Sequence, residues 1–454
     1  MTGLTEAIAR FRPFNAIVVG DVMLDELLYG DADRLSQDAP VPVLRVRRSD
    51  HRAGGTANVC LDLAALGGRV SVLAVVGDDP EAGKLREAME RNGIVTDGVV
   101  VDPSRPTTVK RSLIGLAQHR HPQKMFRVDF ESREAISDAV RGTLLEAFDA
   151  QLASADVVCI EDYDKGVCSE AFCQAIIERA RAAGKPVLVD PAAIEDYSKY
   201  RGATCITPNR TEAERATATA LNEDRPEANA DIAAALLDRH RFDTVVLTLD
   251  RHGAMLVRKG ETPVLIPTVA REVYDVTGAG DMVLAGLAAS IACGLEWEQA
   301  VGVANAAAGL EVEIFGVEPI PLDTLRHAIM KQDGKLQGKL RTLEQVLVEA
   351  GETRKAGGAV VFTNGCFDII HTGHVTLLER AAELGAMLIV GLNTDASIAR
   401  LKGPDRPVNT LEDRARVLGA TCITPNRTEA ERATATALNE DRPEANADIA
   451  AALL

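Results

Sequence analysis

Through the first 320 residues, short apolar runs alternate with longer stretches in which apolar residues recur every three or four positions. The runs at residues 16–20, 70–76, 157–160, 187–190, 204–207 and 244–249 are rich in β-branched residues. Runs of that length without polar alternation predict strands buried on both faces, as in a parallel sheet. The periodic stretches between them, such as 169–183 ahead of Gly184, predict helices that cover the sheet. The expected architecture is a doubly covered α/β sheet, with ligands beyond the carboxyl ends of its strands. Strand-like pieces at 41–46, 107–114 and 124–128 interrupt the alternation.

The pattern breaks at residues 331–341, which read K-Q-D-G-K-L-Q-G-K-L-R and predict a linker after a first domain of residues 1–330. A second α/β unit is expected over 342–418: helix 342–355, strand 359–363, helix 375–384 and strand 387–392. Residues 419–454 repeat residues 202–237 letter for letter. A single recurrence of that length fits no solenoid period, and both copies open on the same Gly-Ala pair. The second copy is expected to be a joining artefact rather than a natural duplication, in which local helix around 429–437 can form without a proper partner surface.

Length changes the picture little: 454 residues exceed one ordinary core and agree with two domains. Composition is globular, with 46% hydrophobic and 26% charged residues. Net charge of −17 with 4% aromatic residues argues against a nucleic-acid reader. No run of about 18 apolar residues occurs and residues 1–14 lack an apolar signal core, so a cytoplasmic protein without a membrane span is expected. The eight cysteines form no C-x-x-C pair and mostly sit in apolar runs, as buried reduced thiols do.

The densest chemistry lies at residues 275–281, which read D-V-T-G-A-G-D and open into an apolar helix at 282–293. Main-chain amides of Gly278, Ala279 and Gly280 at a helix start can cradle a transferring phosphoryl group. Asp281 beside them can take the proton of an attacking hydroxyl, and the helix terminus predicts a depressed pKa for it. Two further motifs stand upstream: Gly54-Gly55-Thr56-Ala57-Asn58 leading into a helix at 59–66, and Thr207-Pro208-Asn209 with Glu212 after a strand. Together the three resemble the ribokinase/fructokinase-type sugar kinases.

That resemblance implies ATP as phosphoryl donor and Mg²⁺ held by Asn209 and Glu212, largely through waters. Arg210 and Thr211 in the same turn, Thr248, Gly253 and Asn305 would line the nucleotide. Asp25, Gly54, Gly55 and Asn58 would contact sugar hydroxyls, Lys165 would face a phosphate, and the strand-like pieces would form a small β lid. Kinases of this type often pair through that lid, so a homodimer is expected. The chain departs from the heptose kinases at Asp190-Pro191-Ala192-Ala193, where they carry a lysine after the Asp-Pro.

In the second unit, Asn364-Gly365-Cys366-Phe367-Asp368 precedes His371-Thr372-Gly373-His374. This resembles the H-x-G-H nucleotidyltransferases, and implies that His371 and His374 donate to nucleotide phosphates and that Lys402 stabilises the pentacoordinate phosphorus. Arg406-Pro407-Val408-Asn409 continues the resemblance. A metal site would need a third ligand, and none of suitable spacing is evident. The family also has a Ser/Thr-rich turn before a later helix, and here the second copy stands in that place. The expected fold is therefore α/β: a ribokinase-like sheet with a small β lid, then an incomplete, inactive Rossmann-like nucleotidyltransferase domain.

The fusion resembles the bifunctional bacterial heptose enzymes. The implied reaction is ATP-dependent phosphorylation of D-glycero-β-D-manno-heptose 7-phosphate at carbon 1, toward ADP-heptose and the lipopolysaccharide core. The alternatives are a kinase for another sugar or sugar phosphate, and a nucleotide-binding scaffold without turnover.

Overall fold

A computed structural model describes residues 3–116, 122–222, 224–268, 276–313, 318–336, 340–418 and 421–423, except for the side chains of 344 and 421–423. These residues form two compact units, one spanning Glu6–Leu322 and the other beginning at Asp323 and including Gly3–Thr5.

The first unit is built on a nine-stranded sheet. Its strands are β1 (Phe14–Gly20), β4 (Gly68–Val76), β5 (Val95–Val101), β8 (Val157–Glu161), β9 (Val187–Asp190), β10 (Cys205–Ile206), β11 (Thr244–Thr248), β12 (Ala254–Arg258) and β13 (Val264–Ile266). The order is β13-β12-β11-β10-β9-β8-β1-β4-β5. Pairing is parallel from β5 to β11 and antiparallel for the edge strands β12 and β13. Val157, Val158, Cys159 and Ile160 are fully buried, as expected for a strand covered on both faces. Phe148, Phe172 and Tyr200 pack with Val158 and Ile160 in one core.

A separate four-stranded sheet, ordered β3-β2-β6-β7, forms the lid. It contains β2 (Val22–Leu35), β3 (Pro42–Gly55), β6 (Val109–Gly115) and β7 (Gln123–Phe130). Sequence patterning found pieces of β3, β6 and β7 but neither β2 nor the β5, β12 and β13 strands. β2 reads V-M-L-D-E-L-L-Y-G-D-A-D-R-L, too acidic to resemble a buried run and too irregular for a clean alternation. Its register makes Asp25 a direct neighbour of Arg52 on β3 and of Lys110 on β6.

The second unit has a three-stranded parallel sheet of β14 (Val360–Gly365), β15 (Met387–Leu392) and β16 (Thr421–Ile423), in that order. Helix Leu343–Lys355 covers one face through Val346 and Ala350, which pack on Ile389. Phe367, Val390 and Leu392 pack on the other with Leu378, Leu411 and Leu418. The start of the repeated segment thus folds as a strand: Cys422 pairs with Val390, as its counterpart Cys205 pairs with Leu188 and Thr244. The helix expected around 429–437 lies outside the described residues.

Candidate active site

Carboxylates and polar turns collect at the carboxyl ends of the central strands. Asp21 follows β1, Glu161 ends β8 with Asp162 and Tyr163 after it, Asp190 ends β9, and Thr207 follows β10. Two helices then begin against this edge, and each starts on a glycine with left-handed φ. Gly55 (φ 60°) caps the helix Thr56–Ala65, and Gly278 (φ 93°) caps the helix Ala279–Ala292. Such φ values cost a residue with a Cβ about 1–2 kcal/mol, which accounts for glycine at both caps. Both helices begin three residues earlier than the apolar periodicity indicates, because their first turns carry polar side chains.

Those first turns meet. Asn58 Nδ2 donates to Asp281 Oδ2 at 2.8 Å, and Tyr163 Oη donates to Asp281 Oδ1 at 2.8 Å. Sequence reasoning placed Asn58 and Asp281 in one site, and the structure brings them into contact. Glu161, Asp190 and Asp281 also present carboxylate oxygens within 4.8 Å of one another. The Asp281 pKa is raised, chiefly by burial, with the Asn58 and Tyr163 hydrogen bonds and the Lys110 charge pulling it down. The expectation of a depressed value is corrected: desolvation outweighs the favourable helix terminus. Burial, and after it the neighbouring acids, push Glu161 and Asp190 well up too. Of the three cradling amides, that of Ala279 turns to the Val276 carbonyl at 3.4 Å, and Asp275 lies outside the described residues.

On the lid side, Asp25 Oδ2 lies 2.4 Å from where a Cβ on Gly54 would stand, so a larger residue there would push that carboxylate aside. Burial raises the Asp25 pKa, against Lys110, Lys124, Arg127 and Arg52. Lys110 Nζ also lies 5.3 Å from the centre of the Tyr163 ring, which joins the lid to the Asp281 cluster. Lys165 directs its ammonium to Glu131 at 2.5 Å, so the cation expected to face a phosphate is already paired.

The residues assigned to the nucleotide form a second locus. Asn209 caps the helix Arg210–Thr217 in a reciprocal capping box: Asn209 Oδ1 accepts from the Glu212 amide at 3.0 Å, and Glu212 Oε2 accepts from the Asn209 amide at 2.8 Å. Burial pushes the Glu212 pKa up to about 7. Arg210 pairs with Asp250 at 2.7 Å, while Thr211 is exposed in the same turn. The Thr248 amide donates to the Pro208 carbonyl at 3.0 Å, tying the end of β11 to this turn. Gly253 and Asn305 meet at the end of β13, where Asn305 Nδ2 donates to the Ile266 carbonyl at 3.0 Å.

Hard oxygen donors suit Mg²⁺. Glu161 and Asp190 beside Asp281 offer a denser set than Asn209 and Glu212, whose polar atoms close the capping box. Glu161, Asp190 and Asp21 were not singled out from sequence as site residues. The signal was there: each carboxylate ends or directly follows an apolar strand at the ligand-binding edge.

In the second unit, His371 caps the helix Thr372–Glu383 and His374 sits in its first turn. The imidazoles stack with centroids 3.9 Å apart, and Phe367 packs 5.1 Å from His374. Burial first, then the neighbouring His371 and Lys402, lowers the His374 pKa below its ordinary value. Asp368 holds the facing segment through Arg406 (2.6 Å) and the Val408 amide (2.6 Å). Buried Arg414, unmarked by any motif, bridges the Cys366 carbonyl and Asp395.

Comparison with known proteins accords with this geometry. The family described as pfkB family carbohydrate kinase matches residues 14–324, and the cytidylyltransferase-like family matches residues 362–451. The latter match runs on through most of the repeated segment, so it lends no support to the expectation of an incomplete, inactive second domain. The bifunctional protein HldE of Pelobacter propionicus is 41% identical over 413 residues, covering 90% of this chain and 83% of that protein. HldE of Vibrio parahaemolyticus is 41% identical, covering 88% and 81%. Among solved structures, Arabidopsis thaliana ribokinase complexed with ribose and ATP superposes with TM-score 0.53 at 21% identity, covering 70% of this chain and 99% of that one. Escherichia coli phosphofructokinase-2 gives 0.56 at 16%, with the same coverage. At these identities the superpositions establish the fold alone. No helix among the described residues is long and apolar enough to cross a membrane.

Proposed function

Because this chain belongs to the pfkB family of carbohydrate kinases and to the group of bifunctional HldE proteins, we propose that its first unit phosphorylates D-glycero-β-D-manno-heptose 7-phosphate at carbon 1 with ATP. The second unit then transfers AMP to the 1-phosphate, toward ADP-heptose and the lipopolysaccharide core. The observation that carries the kinase half is the buried carboxylate of Asp281, held at both oxygens at the mouth of a glycine-capped helix.

The acceptor hydroxyl gives its proton to Asp281 as the phosphoryl group moves, and the amides of Gly278 and Gly280 at the helix start steady the equatorial oxygens, joined by that of Ala279 once it leaves the Val276 carbonyl. The Thr207–Glu212 turn, Thr248, Gly253 and Asn305 hold ATP. Glu161 and Asp190, with Asn209 and Glu212 further out, would hold Mg²⁺, which supplies charge neutralisation on the phosphates. Asp25, Gly54 and Asn58 orient the sugar. A phosphorylated acceptor suits the lid, where Arg52, Lys110, Lys124 and Arg127 surround Asp25. Exposed Leu35, Phe126 and Phe130 on that lid favour pairing of two copies through it. The reactions would run in the cytoplasm, where ATP is at hand.

Asp281→Asn should lower phosphorylation of the heptose 7-phosphate by about 10²–10⁴-fold while ATP binding persists. Unchanged turnover in a coupled ADP assay would remove Asp281 from the reaction, and a panel of other sugars checks the acceptor. For the second unit, AMP transfer to heptose 1,7-bisphosphate with pyrophosphate release is expected and should be lost in His374→Ala. No transfer by the unmutated chain would sink that half.

A further inference from the structure

Asp281 is held from two sides by groups of different origin. Asn58 comes from the Thr56–Ala65 helix, whereas Tyr163 comes from the turn after β8. That turn is unusually well tied down. The carboxylate of buried Asp21 accepts the amides of Tyr163 (3.0 Å), Lys165 (3.1 Å) and Val167 (3.2 Å). The Asp164 amide bonds Asp162 Oδ1 at 2.7 Å, and Arg105 donates to the Lys165 carbonyl at 3.0 Å. Asp164 (φ 57°) and Gly166 (φ 91°) fold it sharply. The effect is to fix the Tyr163 backbone so that its ring lies under Lys110 and its hydroxyl reaches Asp281.

From this arrangement we infer that Tyr163 is a positioning residue for phosphoryl transfer, locking the plane of the Asp281 carboxylate so that its remaining lone pairs meet the acceptor hydroxyl. The inference rests on the reading of Asp281 as the proton acceptor. Rotation of a carboxylate about its last torsion is soft, with broad minima, so one donor leaves it free to swing. Two donors, one on each oxygen, define the plane. Each oxygen carries two lone pairs, so both clamps leave capacity for a further donor. Burial holds the Tyr163 phenol well above its ordinary pKa, so it remains a hydrogen-bond donor throughout. The surrounding charges are Asp62, Glu161, Asp190, Asp25 and Lys110, and among these Lys110 is the sole cation.

Tyr163→Phe keeps the ring and its contact with Lys110 while deleting the clamp. Its kcat should fall roughly 10- to 100-fold, the worth of one hydrogen bond to a charged group, with KM for sugar and ATP within about twofold. The urea unfolding midpoint, measured alongside, should stay near that of the parent. In the Asp281→Asn background the same substitution should lower the residual rate no further, since its effect passes through the missing carboxylate. An unchanged kcat, a loss confined to the KM for sugar, or a full additional loss in the Asp281→Asn background would each overturn the inference. An Asp281→Asn enzyme with normal turnover would instead overturn the reading beneath it, so the two failures are separable.

Discussion

A carboxylate in the first turn of a helix ordinarily gives up its proton easily, because unpaired amides face it. Asp281 occupies that position beside Glu161 and Asp190, yet burial raises its pKa, and the Asn58 and Tyr163 donors and the Lys110 charge only partly offset this. Proximity in sequence foretold the helix terminus but not the neighbouring acids, which arrive from strands 91 and 120 residues upstream (281 − 190 and 281 − 161). Asn58→Leu should therefore do more than remove a contact. It leaves Asp281 Oδ2 without its donor, and stability should drop by about 1–3 kcal/mol by urea titration. A midpoint indistinguishable from the parent would mean that water replaces the amide at no cost.

At the scale of elements, the same local device recurs. Asn58, Glu212, Asp281 and His374 each occupy the third residue of a helix, behind the caps Gly55, Asn209, Gly278 and His371. A side chain there points back past the cap toward whatever the strand edge presents. Hydrophobic periodicity cannot see it, because a polar first turn carries no apolar signal, and so three of these helices begin earlier than expected. Gly55→Ala should cost at least about 1–2 kcal/mol for left-handed φ alone. A Cβ there would also meet the Asp21 carbonyl at 2.6 Å. A lowered unfolding midpoint checks it. The repeated segment shows the converse freedom: Thr421–Ile423 pairs with β15 although the same letters at 204–206 belong to another sheet. Main-chain pairing asks only for a short β-branched run at an open parallel edge.

For the whole molecule, the gathering of acids at one strand edge has a consequence for stability. Asp21 titrates near 6 and Glu212 near 7, both pushed up by burial. Their folded pKa values exceed the unfolded ones, so the native state binds more protons between about pH 4 and 7. Their contribution is fully present below the unfolded pKa and is lost as pH rises through 6 and 7. His240, lowered by burial, acts in the opposite sense. Without nucleotide or divalent cation, the urea midpoint should be higher at pH 5.5 than at pH 7.5. A midpoint that climbs with pH over this range would show that the buried acids do not set the balance.

What the sequence determined by itself was local: buried strands, glycine-capped turns, and short polar motifs at helix starts whose residues lie close together along the chain, whereas the division between the units falls at Leu322/Asp323 rather than in the expected linker at 331–341. Those features depend on backbone conformation and short-range periodicity, which neighbouring residues specify. Which charges would face one another depended on the tertiary fold. Strand order set Glu161 and Asp190 beside Asp281, and lid register set Lys110 beside Asp25. Packing alone decided that Lys165 would pair with Glu131 while Tyr163 reached the carboxylate. Electrostatic environment is a property of what burial brings together, and no stretch of chain carries that information before the sheet closes.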